Sequence, residues 1–283
     1  MGKKVYLCTP QNPTPTMSIY WILFLVALVI SSVGWKKFIY FISIGYGFSI
    51  AGCAVAIAVK YWNLLTAPTI LLCAILFLYG CRLGGYLLLR ELKSASYRKV
   101  LSESTQDSNY PFFVTLIIWL ACAFLYMAEV CPVTARLDNT ASGLPVNDLW
   151  AWIGAGIMIL GIIVESVADA QKSAAKKVNP HRFVSTGLYR IVRCPNYFGE
   201  VIMWTGCLLV CIGASCTWWQ WLISVLGYVC IVYIMFSGAR RLELRQNANY
   251  GNDPEYQAYV KKTPILIPLL PIYSVARHEW LRG

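Results

Sequence analysis

Long apolar runs alternate with short polar connections along the whole chain. Runs of about twenty residues, the length that crosses a bilayer as a helix, fall near 17–35, 38–59, 64–89, 111–131, 149–169, 197–215 and 218–237. They predict an all-α, polytopic membrane protein: a seven-transmembrane helix bundle with a cofactor pocket facing the cytosol. Only a few residues around Cys216 and Thr217 separate the last two runs, which predicts a tight antiparallel hairpin. A shorter apolar piece, Ile265 to Tyr273, is too short and too rich in proline to cross, and is expected to lie along the membrane surface or to cap the bundle. No tandem repeat or soluble second domain is evident, so residues 1–283 read as one integral membrane domain.

Composition agrees with this pattern. Apolar residues make up 58% of the 283 and charged residues only 13%, too apolar for an ordinary soluble domain. The net charge of +11 is unevenly placed. If the connection after the fifth run is cytoplasmic, that side carries all 24 lysines and arginines except Lys3, Lys4, Lys60, Arg136 and the in-span Arg82. The positive-inside rule then puts the carboxyl terminus in the cytosol, in a eukaryote at the endoplasmic reticulum. Because the basic residues sit in connections between apolar runs rather than on a soluble face, nucleic acid is a poor partner for them. Membrane lipid and a lipophilic small molecule are the partners expected.

Other chemistries lack their ligands. Most of the 11 cysteines lie inside apolar runs and read as small buried hydrophobes. There is no CxxC pair, and His181 and His278 are the only histidines, so neither a zinc site nor a histidine-rich di-iron centre is expected. The opening Met-Gly-Lys-Lys-Val-Tyr lacks the Ser or Thr of a myristoylation signal. The first apolar run begins only near Met17, which suits a retained span better than a signal peptide.

Polar groups at membrane depth are costly and therefore candidates for function. Tyr79, Arg82 and Tyr86 recur at spacings of three and four on the third run and share a helix face. They read either as a pocket wall or as a snorkelling arginine with interfacial tyrosines. The pocket is favoured because Tyr79 lies deeper than Arg82, where its phenol can donate a proton or a hydrogen bond. Glu165 and Asp169 stand four apart on the fifth run, facing the same pocket or the arginines of the next connection. Glu129, at the far end of the fourth run, is expected at the interface.

The densest polar stretch is 179–206. Asn179-Pro180 ends the preceding helix, Gly187 allows a turn, and Pro195 suits the first turn of the next helix. Backbone amides freed at that helix start, together with Arg190 and Arg193, predict a phosphate cradle at the cytosolic mouth. Gly154-Ala155-Gly156 lacks the third glycine of a dinucleotide fingerprint. A nucleotide would therefore be held by a helix bundle.

These residues resemble the steroid 5α-reductase-like membrane reductases and their broad, poorly characterised relatives. The resemblance rests on Glu165-Ser-x-Ala-Asp169-x-Gln171-Lys172, Gly187-Leu-Tyr-Arg190, Arg193-Cys-Pro-Asn-Tyr-Phe-Gly-Glu200 and Tyr256-x-x-Tyr259-x-x-Lys-Thr-Pro-x-x-Ile-Pro268. It covers the second half densely, with a core at 149–273, and more weakly Tyr79, Arg82 and Tyr86. It implies NADPH bound in the bundle and reduction of a carbon–carbon double bond conjugated to a carbonyl in a lipophilic, steroid-, enone- or enoyl-lipid-like substrate. By the same resemblance Arg82, Tyr86, Asp169, Arg190, Arg193, Asn196, Tyr197, Glu200 and Arg240 would line the cofactor pocket, and Tyr79 would be catalytic. Two positions depart from the family pattern. Cys194 stands where many relatives have histidine. The first carboxylate in the chain is Glu91, whereas steroid-specific members pair their substrate tyrosine with a glutamate on an earlier helix.

The Gly-x-Tyr-x-x-x-Arg-x-Pro-x-Tyr core is also similar to that of isoprenylcysteine carboxyl methyltransferases, which makes an S-adenosylmethionine-dependent membrane methyltransferase the alternative. Asn196-Tyr197-Phe198-Gly199-Glu200 and the upstream Glu165 to Lys172 favour the reductase. A non-enzymatic membrane protein retaining an inherited site is the third class.

Overall fold

The computed structural model describes residues 18–93, 110–268 and 270–281. Lys3, Lys4, Arg98, Lys99 and Arg282, which enter the charge asymmetry, lie outside the described residues. Among the described residues nine α-helices follow in order: α1 (Ile19–Ser31), α2 (Ile44–Lys60), α3 (Ala67–Lys93), α4 (Phe112–Glu129), α5 (Cys131–Ala141), α6 (Asp148–Val178), α7 (Pro195–Leu209), α8 (Trp218–Tyr250) and α9 (Pro254–Lys262). Among the described residues there is no strand.

Among the described residues six helical segments are long and apolar enough to cross a membrane: Phe38–Lys60, Ala67–Lys93, Phe112–Glu129, Asp148–Val178, Pro195–Gly213 and Trp218–Tyr250. The expected first span, Ile19–Trp35, is shorter. At 1.5 Å per residue α1 extends about 20 Å, against about 30 Å of hydrocarbon. Two serines mark where it stops. Ser31 and Ser32 hydroxyls donate to the carbonyls of Leu28 and Val29 in the preceding turn, and the chain tightens into a 3-10 turn at Ser32–Trp35. Around the bundle, large apolar side chains such as Val29, Val59, Phe113 and Trp218 point outward. Such a surface suits lipid, not water.

Glycines set the closest helix contacts. A β-carbon on Gly161 or Gly199 would collide with the backbone of the facing helix, and Gly154 and Gly206 stand in the same relation. These two glycine pairs, seven residues apart on both α6 and α7, let the antiparallel helices touch backbone to backbone. Gly47 of α2 lies likewise against Gly80 and Gly84 of α3. These seams draw the polar residues of α3, α6 and α7 toward one interior.

The connection between the fourth and fifth apolar runs folds as α5, which is almost wholly buried and stoppers one end of the bundle. Arg136, 1% exposed, donates to the carbonyls of Asn147 and Gly213 and pairs with Asp148. Asn139 donates to the carbonyls of Ala214 and Ser215, and Tyr61 donates to Asp138. The α2–α3, α5–α6 and α7–α8 turns are thereby tied together.

At the other end a carboxyl-terminal strap closes over α7. Arg193 and Cys194 amides donate to the carbonyls of Pro264 and Ile265, and Ile265 and Leu266 sit in the core. The apolar piece expected to lie along the surface or cap the bundle caps it. Gly187 adopts the left-handed backbone its turn requires, with φ of 62°. Pro195 opens α7 as expected.

Candidate functional site

Tyr79 is completely buried, and its hydroxyl lies in hydrogen-bond contact with Glu200 Oε1 at 2.7 Å. The Tyr46 hydroxyl, from the start of α2, stands 3.0 Å from the same oxygen and 3.0 Å from the Tyr79 hydroxyl. Trp204, one turn beyond Glu200 on α7, donates its indole N–H to the Tyr46 oxygen at 3.0 Å. Edge-on ring packing fixes the group: Tyr79 against Trp204 with centroids 5.7 Å apart, and Tyr46 against Tyr79 at 6.4 Å. Three helices thus meet on one carboxyl oxygen inside the bundle. The acid in contact with Tyr79 comes from α7 and not from an earlier helix.

Beside this ring, Arg82 of α3 forms an ion pair with Glu165 of α6. The glycine seam explains the placement, since Gly199 packs directly on the backbone of Glu165. Asp169, one turn further along α6, is half-buried and within electrostatic reach of Arg82, Lys172 and Arg90. Glu200 in turn feels Arg82 and Asp169. Arg82 is therefore neither snorkelling nor isolated. It joins the polar face of α3 to that of α6.

The remaining expected residues disperse. Tyr86 is 39% exposed, so the face shared by Tyr79, Arg82 and Tyr86 runs from the interior out to the surface. Arg190 is exposed in a 3-10 turn. Asn196 and Tyr197 are half-buried in the first turn of α7, with the Tyr197 ring on Gly238 of α8. Arg240 is buried on α8, and its Nε has no hydrogen-bond partner. Arg193, expected in the phosphate cradle, donates from Nη2 to Glu243 of α8 at 2.7 Å and to the Tyr273 carbonyl of the strap at 2.6 Å. Its buried Nε and Nη1 have no hydrogen-bond partner. Next to it, burial pushes the Cys194 thiol up to about 12.

Two open depressions lie apart from the ring. One, of about 450 Å³, is lined by Ala54, Trp62, Leu65 and Cys73, and the other, of about 360 Å³, by Gln171, Ala175, Thr186 and Gly187. Neither includes Tyr79 or Glu200, both of which are buried.

A family described as "Protein of unknown function (DUF1295)" matches residues 21–263. The chain belongs to the DUF1295 family. No curated protein and no solved structure matches it. The DUF1295 region takes in Tyr46, Tyr79, Arg82, Glu165 and Glu200 and ends where α9 ends, before the strap.

Sequence reasoning missed three residues in this DUF1295 protein. Tyr46 and Trp204 are lone aromatics on apolar helices, and the one available signal was the Gly45-Tyr46-Gly47 context, which lets α3 approach the tyrosine. Glu129, expected at the interface, is only 3% exposed, and neither carboxyl oxygen has a hydrogen-bond partner. It is drawn inside because α4 ends within the bundle, where α5 begins.

Proposed function

We propose that the protein is an NADPH-dependent membrane oxidoreductase that reduces a carbon–carbon double bond conjugated to a carbonyl in a lipophilic, steroid-, enone- or enoyl-lipid-like substrate. The observation that carries this reading is the buried Tyr79 phenol, held on Glu200 and flanked by the Arg82–Glu165 pair. A fixed O–H in an apolar helix interior is what protonation of a reduced enone needs.

The residues present fit an anionic nucleotide. Arg240 Nε and Arg82 Nε are buried donors without hydrogen-bond partners, and a phosphate oxygen would satisfy such groups. Arg190 adds an exposed charge at the mouth. Asp169, Asn196 and Tyr197 offer acceptors and donors for ribose and carboxamide. Arg193 holds the strap over α7 through Nη2, and its buried Nε and Nη1 are likewise without hydrogen-bond partners. NADPH, when bound, supplies the hydride. Tyr79 polarises the substrate carbonyl through its O–H and yields the proton that completes the reduction, while the closed bundle keeps water from the intermediate. The basic end of the bundle, with Arg190 and α9, would face the cytosol by the positive-inside rule.

The test is a melting experiment in mild detergent with NADPH and, separately, S-adenosylmethionine, followed by an NADPH-oxidation screen over enones and enoyl lipids. Stabilisation by NADPH with turnover of an enone is expected. Stabilisation by the methyl donor alone would replace this reading with the methyltransferase.

A further inference from the structure

Tyr46, Tyr79 and Glu200 present three oxygens in mutual hydrogen-bond contact, with edges of 3.0, 2.7 and 3.0 Å. Proton counting on this triangle is informative. Trp204 can only donate, so its N–H fills one acceptor site on Tyr46 and contributes nothing to the three edges. If Glu200 is ionised, both phenols give their protons to Oε1, and the edge between the two phenol oxygens holds none. If Oε1 carries a proton, the ring closes: Glu200 donates to Tyr79, Tyr79 to Tyr46, and Tyr46 to Glu200. Both states fit the same heavy-atom positions.

The surrounding charges bear on which state rests there. Besides the two phenols, the groups facing Glu200 are Arg82 from α3, Glu165 and Asp169 from α6, and Glu129 from α4. Arg82 is the cation of this set, and Glu165 already holds it. A carboxylate at Glu200 would find three other acids and a single cation already paired with Glu165, in an interior where Glu200 is 6% exposed.

We propose that Glu200 is the proton reservoir of the site: it rests protonated in a closed ring with Tyr79 and Tyr46, and replaces the proton that Tyr79 gives to the substrate. The assignment rests on the reductase reading above. After hydride has reached the β-carbon, the Tyr79 O–H bond breaks as the proton joins the substrate enolate. The Glu200 O–H bond then breaks and Tyr79 O–H re-forms. Glu200 is left as a carboxylate accepting from both phenols, and regains one proton from water before the next cycle. Tyr46 is a positioning residue. Its hydroxyl, aimed by Trp204, keeps Glu200 Oε1 on Tyr79 in both states.

Infrared spectroscopy of the purified protein in detergent at neutral pH tests this without turnover, because only a protonated carboxyl gives a carboxylic C=O band, and hydrogen bonding lowers its frequency. Glu200→Gln should remove one such band. Tyr46→Phe should keep that band and displace it, because opening the ring changes the hydrogen bond that the carboxyl O–H makes. Glu129→Gln should remove a separate band at higher frequency, since its oxygens have no partners. A Glu200→Gln spectrum with every carboxylic band intact, or a Tyr46→Phe spectrum with none displaced, overturns the proposal. The second variant keeps the test open should Glu200→Gln fail to fold. NADPH stabilisation is read separately: a ring without nucleotide binding sinks the reductase reading and the reservoir role with it, and nucleotide binding without the band sinks the protonated ring alone.

Discussion

Arg193 and Glu243 meet at 2.7 Å with each side chain 1% exposed, and the second Glu243 oxygen accepts the amide of Val275 at 2.8 Å. One ion pair therefore fastens the start of α7, the middle of α8 and the carboxyl-terminal strap. Removing one partner strands a buried charge, which costs about 3–5 kcal/mol. Arg193→Ala should lower the melting temperature sharply with no nucleotide present. A variant that melts normally but loses NADPH would return Arg193 to the phosphate.

The glycine seam between α6 and α7 makes an independent prediction. Gly161→Val puts a side chain into the backbone of Gly199 and Met203, and overpacking of this kind costs about 1–3 kcal/mol. Because Gly199 sits on Glu165, the same change should also displace the Arg82–Glu165 pair. Gly156, whose β-carbon would meet nothing within 4 Å, is the control: Gly156→Ala should leave melting and binding unchanged.

Tyr79→Phe should keep NADPH affinity and lower turnover of any accepted substrate by about 10²–10⁴-fold, the range for a positioned acid. Comparing kcat with the NADPH dissociation constant checks it. Undiminished turnover would take Tyr79 out of the chemistry.

Cys194 offers a pH-dependent readout. Burial disfavours its thiolate and pushes the thiol from the ordinary 9.0 up to about 12, so alkylation at neutral pH should be about a thousandfold slower than for a free cysteine. The folded state holds this proton more tightly than the unfolded chain. Its contribution to stability is therefore full below pH 9 and is lost as pH rises toward 12. Mass spectrometry after timed maleimide exposure measures the rate.

Much of this architecture can be read from hydropathy, because a membrane span has one dominant requirement, and α2, α3, α4, α6, α7 and α8 meet it by length and composition. α1 fails the same criterion through its serines, which no window average registers. α5 was invisible for the opposite reason: Arg136, Asp138 and Asn139 look like a connection, and their burial depends on carbonyls supplied by distant turns. At the site, the Tyr79 and Arg82 stripe and the Glu165 and Asp169 pair were legible from helical spacing. The Arg193 partner was not, since Glu243 lies 50 residues away, and nothing local distinguishes an arginine meant for a ligand from one meant for a strap. Tyr46 was hidden because a tyrosine on an apolar helix signals nothing until its neighbours are known.

The stopper formed by α5 has a consequence for traffic. With that end held by its own polar lacing, a molecule that reached Tyr79 from water under the proposed function would enter and leave by the opposite end. Reactant and product would then share one door.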